Sequence, residues 1–170
     1  MVDAQLSRLA QTGRQGTPAA ITFALVFLSL IPFGLPHIGL VMPPLALMAV
    51  YFWGIYRPDL LPGPAVFALG LLQDVLSGGP IGLYAGLYVG VHAVMSSQRR
   101  VFLGRAFTIE WFGFTVVAVG TFLLVWVVAS VYYGKVLRPA FLGVQALLSV
   151  ALYPALAWAM IRVRRAVSQI

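Results

Sequence analysis

Between residues 107 and 133 the sequence carries one charged side chain, Glu110, and no proline. Coiled at about 1.5 Å per residue, a helix of that length measures about 40 Å, more than the roughly 30 Å of hydrocarbon in a bilayer. In water such a run needs a core to hide in. The rest of the 170-residue chain does not supply the polar cover for one, because 61% of the whole is hydrophobic and 9% charged. An ordinary soluble domain carries about 25% charged residues. The chain therefore reads as an integral membrane protein. Six apolar helices of about 20 residues would take about 120 residues, which leaves no room for a sizeable soluble domain. There is no cysteine, so disulfides and thiol chemistry are excluded while the compartment stays open.

The predicted fold is all-α and polytopic, with six spans at about 18–35, 37–56, 62–77, 81–98, 107–133 and 139–161. Residues 1–18 form a polar N-terminal arm, 19–163 the transmembrane domain and 164–170 a short tail. The first run is not read as a signal peptide, since Ile31-Pro32-Phe33-Gly34-Leu35-Pro36 offers no small-x-small cleavage site. Pro43-Pro44 removes two backbone donors and is expected to kink or break the second span in its first half. Arg57 and Pro58 open a proline-rich turn that closes at Pro64, and Gly78-Gly79-Pro80 allows only a tight reversal, so spans three and four form an antiparallel hairpin. An arginine loop at 99–106 follows.

The charges set the orientation. Arg8, Arg14, Arg57, Arg99, Arg100, Arg105, Arg162, Arg164 and Arg165 fall on one side of these spans, Lys135 and Arg138 on the other. By the positive-inside rule both termini are cytoplasmic. Topology and anionic lipid headgroups account for these arginines, so no nucleic-acid partner is expected.

Polar residues inside spans are costly and are the first functional candidates. They are Gln73 and Asp74 in span three, His92 in span four, Glu110 in span five and Gln145 in span six. Counting about 1.5 Å per residue, Asp74, Tyr84 and Gln145 lie roughly 5 to 9 Å from the outer helix ends, and His92 and Glu110 a similar distance from the inner ends. Asp74 and His92 are therefore too far apart in depth to act as a pair. Gly70, Asp74 and Gly78 share one face of span three. The acid is either part of an outer-leaflet pocket or partner contact with Gln73, Tyr84 and Gln145, or a cap for the glycine turn; the sequence leaves both open. Gly82, Gly86 and Gly90 form two overlapping GxxxG patterns, a packing face more readily filled from within the chain than by a second subunit. Tyr88 and His92 are expected to be satisfied core residues. Glu110 is explained by a helix N-terminus with Arg105 nearby. No catalytic, cofactor or metal site is predicted: the two histidines lie at opposite depths, and no nucleophile elbow or P-loop occurs.

Arg57-Pro58-Asp59-Leu60-Leu61-Pro62, followed by Gly70-Leu71-Leu72-Gln73-Asp74 and Gly78-Gly79-Pro80-Ile81-Gly82, resembles the rod shape-determining MreD family. An Arg-Pro turn there leads into a helix ending in Gly-Leu-x-x-Asp and a Gly-x-Pro-x-Gly hairpin. The resemblance covers roughly residues 40–165. It implies a non-enzymatic scaffold of the cell-elongation complex in the bacterial cytoplasmic membrane. The implied partners are the bitopic MreC, RodA and its transpeptidase partner, and the actin-like MreB filament. The family bundle is also similar to the substrate-binding subunits of energy-coupling-factor transporters. That similarity makes a small-molecule-binding transporter subunit the alternative.

Overall fold

The computed structural model describes residues 44–136 and 139–168, together with position 24. Within them five α-helices and one short 3-10 helix follow one another, with no strand among the described residues. The helices are α1 (Leu45–Tyr56), α2 (Gly63–Ser77), α3 (Leu83–Phe102), α4 (Phe107–Tyr132) and α5 (Pro139–Ser168), with the 3-10 turn Pro58–Leu60 between α1 and α2. The predicted first span and N-terminal arm lie outside the described residues.

Proline sets where α1 starts. The Pro44 carbonyl accepts from the Leu47 and Met48 amides at 3.0 and 3.4 Å, so within the described residues Pro44 precedes the helix instead of kinking it. A helix that begins directly after the proline pair agrees with a break there, one of the two expected outcomes; residues 37–43 lie outside the described part. Every residue from Ala46 to Ile55 is buried. A helix apolar all round is stable only when enclosed, and α1 is the core of the bundle, packed on α3 and α5.

Pro64 starts α2 in its first turn, where its missing donor costs nothing. Gly78, at φ +66°, ends it in the left-handed conformation. α3 runs four residues beyond its expected end and carries Arg99 and Arg100 in its last turn. These arginines were expected in the loop; on the helix their charge complements its C-terminal carbonyls. α5 likewise continues past its expected end to Ser168, and the Arg162 guanidinium lies 4.1 Å over the Trp158 ring.

α2 packs on α3, which also contacts α1 and α4; α5 closes the arrangement by touching α1 and α4. The antiparallel order gathers Arg57, Arg99, Arg100, Arg105 and Arg162 at one end, the arginine end, and puts the α2–α3 turn and Lys135 at the other. Two segments, Phe107–Tyr132 and Leu142–Arg162, are long and apolar enough to cross a membrane, while Leu45–Tyr56 and Gly63–Ser77 are apolar but shorter.

Candidate functional site

Two of the costly polar residues, Asp74 and Glu110, each anchor a cluster, and the clusters lie at opposite ends of the bundle. At the far end, Asp74 sits in the last turn of α2 and is 1% exposed. Its Oδ2 accepts from the backbone amides of Gly82 (2.8 Å) and Ala85 (3.2 Å), and its Oδ1 from that of Tyr84 (2.8 Å). The first amides of any helix lack partners within it, and Gly82, at the N-cap of α3, has no side chain to offer them. Asp74 supplies the cap from the neighbouring helix. A carboxylate there meets the positive end of the helix dipole and makes charge-assisted bonds.

Two glycines make this reach possible. A Cβ on Gly70 would stand 2.4 Å from Ala85 Cα and 2.6 Å from Ala85 N, so only glycine lets α3 lie this close. Gly82 adopts φ +98°, which L side chains rarely do. Asp74 and the Tyr84 amide are thus brought together as a cap, and Gln145, on α5, takes no part in those three bonds. Gln73 is buried beside the cap, and its Oε1 has no hydrogen-bond partner among the described residues.

Toward the arginine end, Glu110 stands in the first turn of α4 and is 5% exposed. Its Oε2 accepts from the Tyr56 hydroxyl at 2.7 Å and its Oε1 from the Tyr153 hydroxyl at 2.5 Å, while Tyr51 donates to the Glu110 carbonyl at 2.9 Å. The expected neighbour, Arg105, is exposed, and the ion pair among the described residues is Arg57–Asp59 at 3.2 Å. The reading of Glu110 is therefore corrected: it does lie at a helix N-terminus, but as a buried acceptor for tyrosines of α1 and α5. Phe114 stacks on Tyr153 with centroids 4.2 Å apart, and Tyr51 meets both rings edge-on. Gly113 gives Tyr51 room, since a Cβ there would lie 2.8 Å from its hydroxyl.

Sequence reasoning missed all three tyrosines. The available signal was that an acid in a span demands donors, and hydroxyls in apolar helices are the donors at hand. It also missed that Trp111 Nε1 donates to the Val150 carbonyl at 2.9 Å. Pro154, inside α5, has no N–H for the carbonyl four residues earlier, so an indole from α4 fills the place.

Two faces of α3 differ among the described residues. Gly86 and Gly90 are exposed, and no described atom lies within 4 Å of where a Cβ would stand on either, because α3 turns its other face, with Ala85, Tyr88, His92 and Met95, into the bundle. Tyr88 and His92 are buried, yet among the described residues Tyr88 Oη and His92 Nε2 have no hydrogen-bond partner, nor does Trp53 Nε1. Among the described residues no group of three or more His, Asp or Glu is placed to hold a metal ion.

An all-helical bundle with apolar outer faces, whose two buried carboxylates tie helices together, has the form of a membrane protein. The family model of the rod shape-determining protein MreD matches residues 17–162, and the chain belongs to that family. Its role accordingly lies in determining rod shape. No curated protein and no solved structure matches the chain.

Proposed function

We propose that this chain is a non-enzymatic scaffold of the bacterial cell-elongation machinery. In this reading it spans the cytoplasmic membrane six times with both termini inside. It binds the single-span MreC and, through it, supports lateral peptidoglycan synthesis by RodA and its transpeptidase partner, with the MreB filament on the cytoplasmic side. The observation that carries the reading is how the two buried carboxylates are used. Both oxygens of Asp74 are taken by backbone amides and both oxygens of Glu110 by tyrosine hydroxyls. A carboxylate that binds a substrate faces the cavity the substrate enters; these two are buried and hold helices in register. The arginine end supports the orientation, and the family match supports the shape-determining role.

Co-purification in mild detergent tests it. The full chain is expected to retain MreC at a fixed ratio; a chain that retains neither MreC nor the wall-synthesis enzymes overturns the scaffold. A second reading, a transporter subunit that binds a small molecule, draws on Gln73, Tyr88, His92 and Trp53, each with a buried polar atom that has no partner among the described residues. It requires saturable binding of a metabolite by the isolated chain, and a thermal-shift screen with vitamins and cell-wall precursors that gives no response discards it.

A further inference from the structure

α4 and α5 are joined tightly over one half of their length and open over the other. Near the arginine end they are held by the Glu110–Tyr153 and Trp111–Val150 hydrogen bonds and by the Phe114–Tyr153 stack. Farther along, they part around a cavity of about 490 Å³ whose walls include Phe122, Leu123 and Trp126 of α4 and Leu142, Gly143 and Ala146 of α5. Apart from the Trp126 indole N–H, the described residues that line it are wholly apolar.

Three observations bear on what fills it. The first is depth. Tyr132 and Tyr133, both exposed and paired edge to face at 5.1 Å, end α4, and paired aromatics of this kind mark the headgroup level. At about 1.5 Å per residue, Trp126 lies about 9 Å and Phe122 about 15 Å below Tyr132, within the roughly 15 Å depth of one leaflet. The second is shape. The opening is confined to that half, whereas a partner's spanning helix would need a groove through both leaflets, and the other half is closed. The third is charge. Lys135 is exposed just beyond the tyrosines, in a turn fixed by its amide bonding to the Ser130 carbonyl at 3.2 Å. By sequence, the loop joining these two helices holds both basic residues, Lys135 and Arg138, assigned to the outer side.

We propose that the cavity holds an acyl chain of an anionic phospholipid from the outer leaflet, with the headgroup phosphate at Lys135. The assignment of leaflet rests on the orientation given under the proposed function. The apolar walls exclude water and accept a chain without directional bonds, while the ammonium favours a headgroup in which no cation offsets the phosphate.

Labelling with photoactivatable lipid tests this. The full chain is placed in nanodiscs of phosphatidylcholine with a small fraction of either phosphatidylglycerol or phosphatidylcholine carrying a diazirine on its acyl chain, and adducts are mapped by mass spectrometry. Adducts are expected to concentrate on the cavity walls and to favour phosphatidylglycerol. Lys135→Gln should reduce that preference about fivefold, since one basic residue near a charged surface contributes about 1 kcal/mol, and leave phosphatidylcholine labelling unchanged. Gly143→Leu should suppress cavity adducts for both lipids. No described atom lies within 4 Å of a Cβ at Gly143, so the added bulk enters the cavity and leaves the bundle folded; Ala146→Leu serves as the second variant. Even labelling over all exposed helix faces, such as at Phe112, Leu124 and Val127, overturns the proposal. So does a preference for phosphatidylglycerol that survives Lys135→Gln, or displacement of the lipid from the cavity by a single-span partner.

Discussion

Asp74 and Glu110 are both acids buried inside apolar helices, and both have every carboxylate oxygen satisfied, yet they are satisfied in different ways. Asp74 takes three backbone amides from the helix that follows it after one short turn. Glu110 takes two hydroxyls from α1 and α5, 54 and 43 residues away in sequence. A backbone cap depends on a turn and a close helix approach, and tolerates many side chains around it. A hydroxyl clamp depends on particular side chains from distant helices arriving together. The first fixes a hairpin; the second fixes how three helices stand against one another.

The sharpest way to break the far-end cluster is through Gly70. A methyl there would press on the backbone of Ala85, which cannot yield as a flexible side chain would, so α3 must move away and the Asp74 bonds lengthen with it. Gly70→Val should cost about 3 kcal/mol, the upper end of overpacking, read by chemical denaturation in detergent. Gly86→Leu, at an open position on α3, should leave stability unchanged. Equal losses in the two variants would mean that the close approach at Gly70 does not hold the hairpin.

Next comes the acid itself. Asp74→Ala leaves three amides at the start of α3, of which that of Ala85 is buried, with no acceptor, and should cost about 2 kcal/mol, the upper end for the loss of a helix cap. Asp74→Asn keeps one acceptor oxygen and should retain about half of that stability. Hydrogen exchange gives the finer readout: in the Ala variant the amides of Gly82, Tyr84 and Ala85 should exchange first, while those around Glu110 keep their protection. Loss of protection at both ends together would show that the two clusters are not separate units.

How far each cluster was legible follows from the same difference. The hairpin could be read because its parts are local: Gly70, Asp74 and Gly78 repeat every four residues, and the reversal at Gly78-Gly79-Pro80 permits one geometry. What could not be read was which donors the acid would take, because backbone amides leave no mark in the sequence. The membrane class and the helical fold followed from composition and long apolar runs, and helix starts at Gly63, Phe107 and Pro139 lay within a residue or two of expectation. The helix ends did not, since Arg99 and Arg100 suit a last turn as well as a loop. For the GxxxG stripe, spacing specified a smooth face but not its neighbour, and Gly86 and Gly90 point out of the bundle. The Glu110 clamp was illegible because Tyr51, Tyr56 and Tyr153 come from helices whose rotations no periodicity sets: the sequence of α1 is apolar on every side.

At the clamp, Tyr153→Phe and Tyr56→Phe each remove one hydrogen bond to a carboxylate and should each cost about 1.5 to 2 kcal/mol, with Tyr153→Phe the larger because its ring stays stacked on Phe114 while its end faces a bare oxygen. The double variant should lose more than the sum of the singles, because Glu110 is then left with no side-chain donor. A strictly additive result in a double-mutant cycle would argue that the two hydroxyls do not share one acceptor group.

The smallest effect lies between the clusters, where a side chain of α4 repairs a backbone defect in α5. Trp111→Phe preserves most of the ring and removes the donor to the Val150 carbonyl; the cost should be about 1 kcal/mol, as for other polar contacts between helices in membranes. If that carbonyl is the reason for the contact, restoring its helical partner should cancel the loss. Pro154→Ala adds an amide at the position that bonds Val150 in an unbroken helix, so Pro154→Ala in the Trp111→Phe background should recover most of the stability, while in the native background it should change little. The expected coupling therefore has a sign as well as a size. A Trp111→Phe loss that Pro154→Ala fails to reduce would mean that the indole acts by packing alone, and that the carbonyl left open by Pro154 in α5 needs no donor from α4.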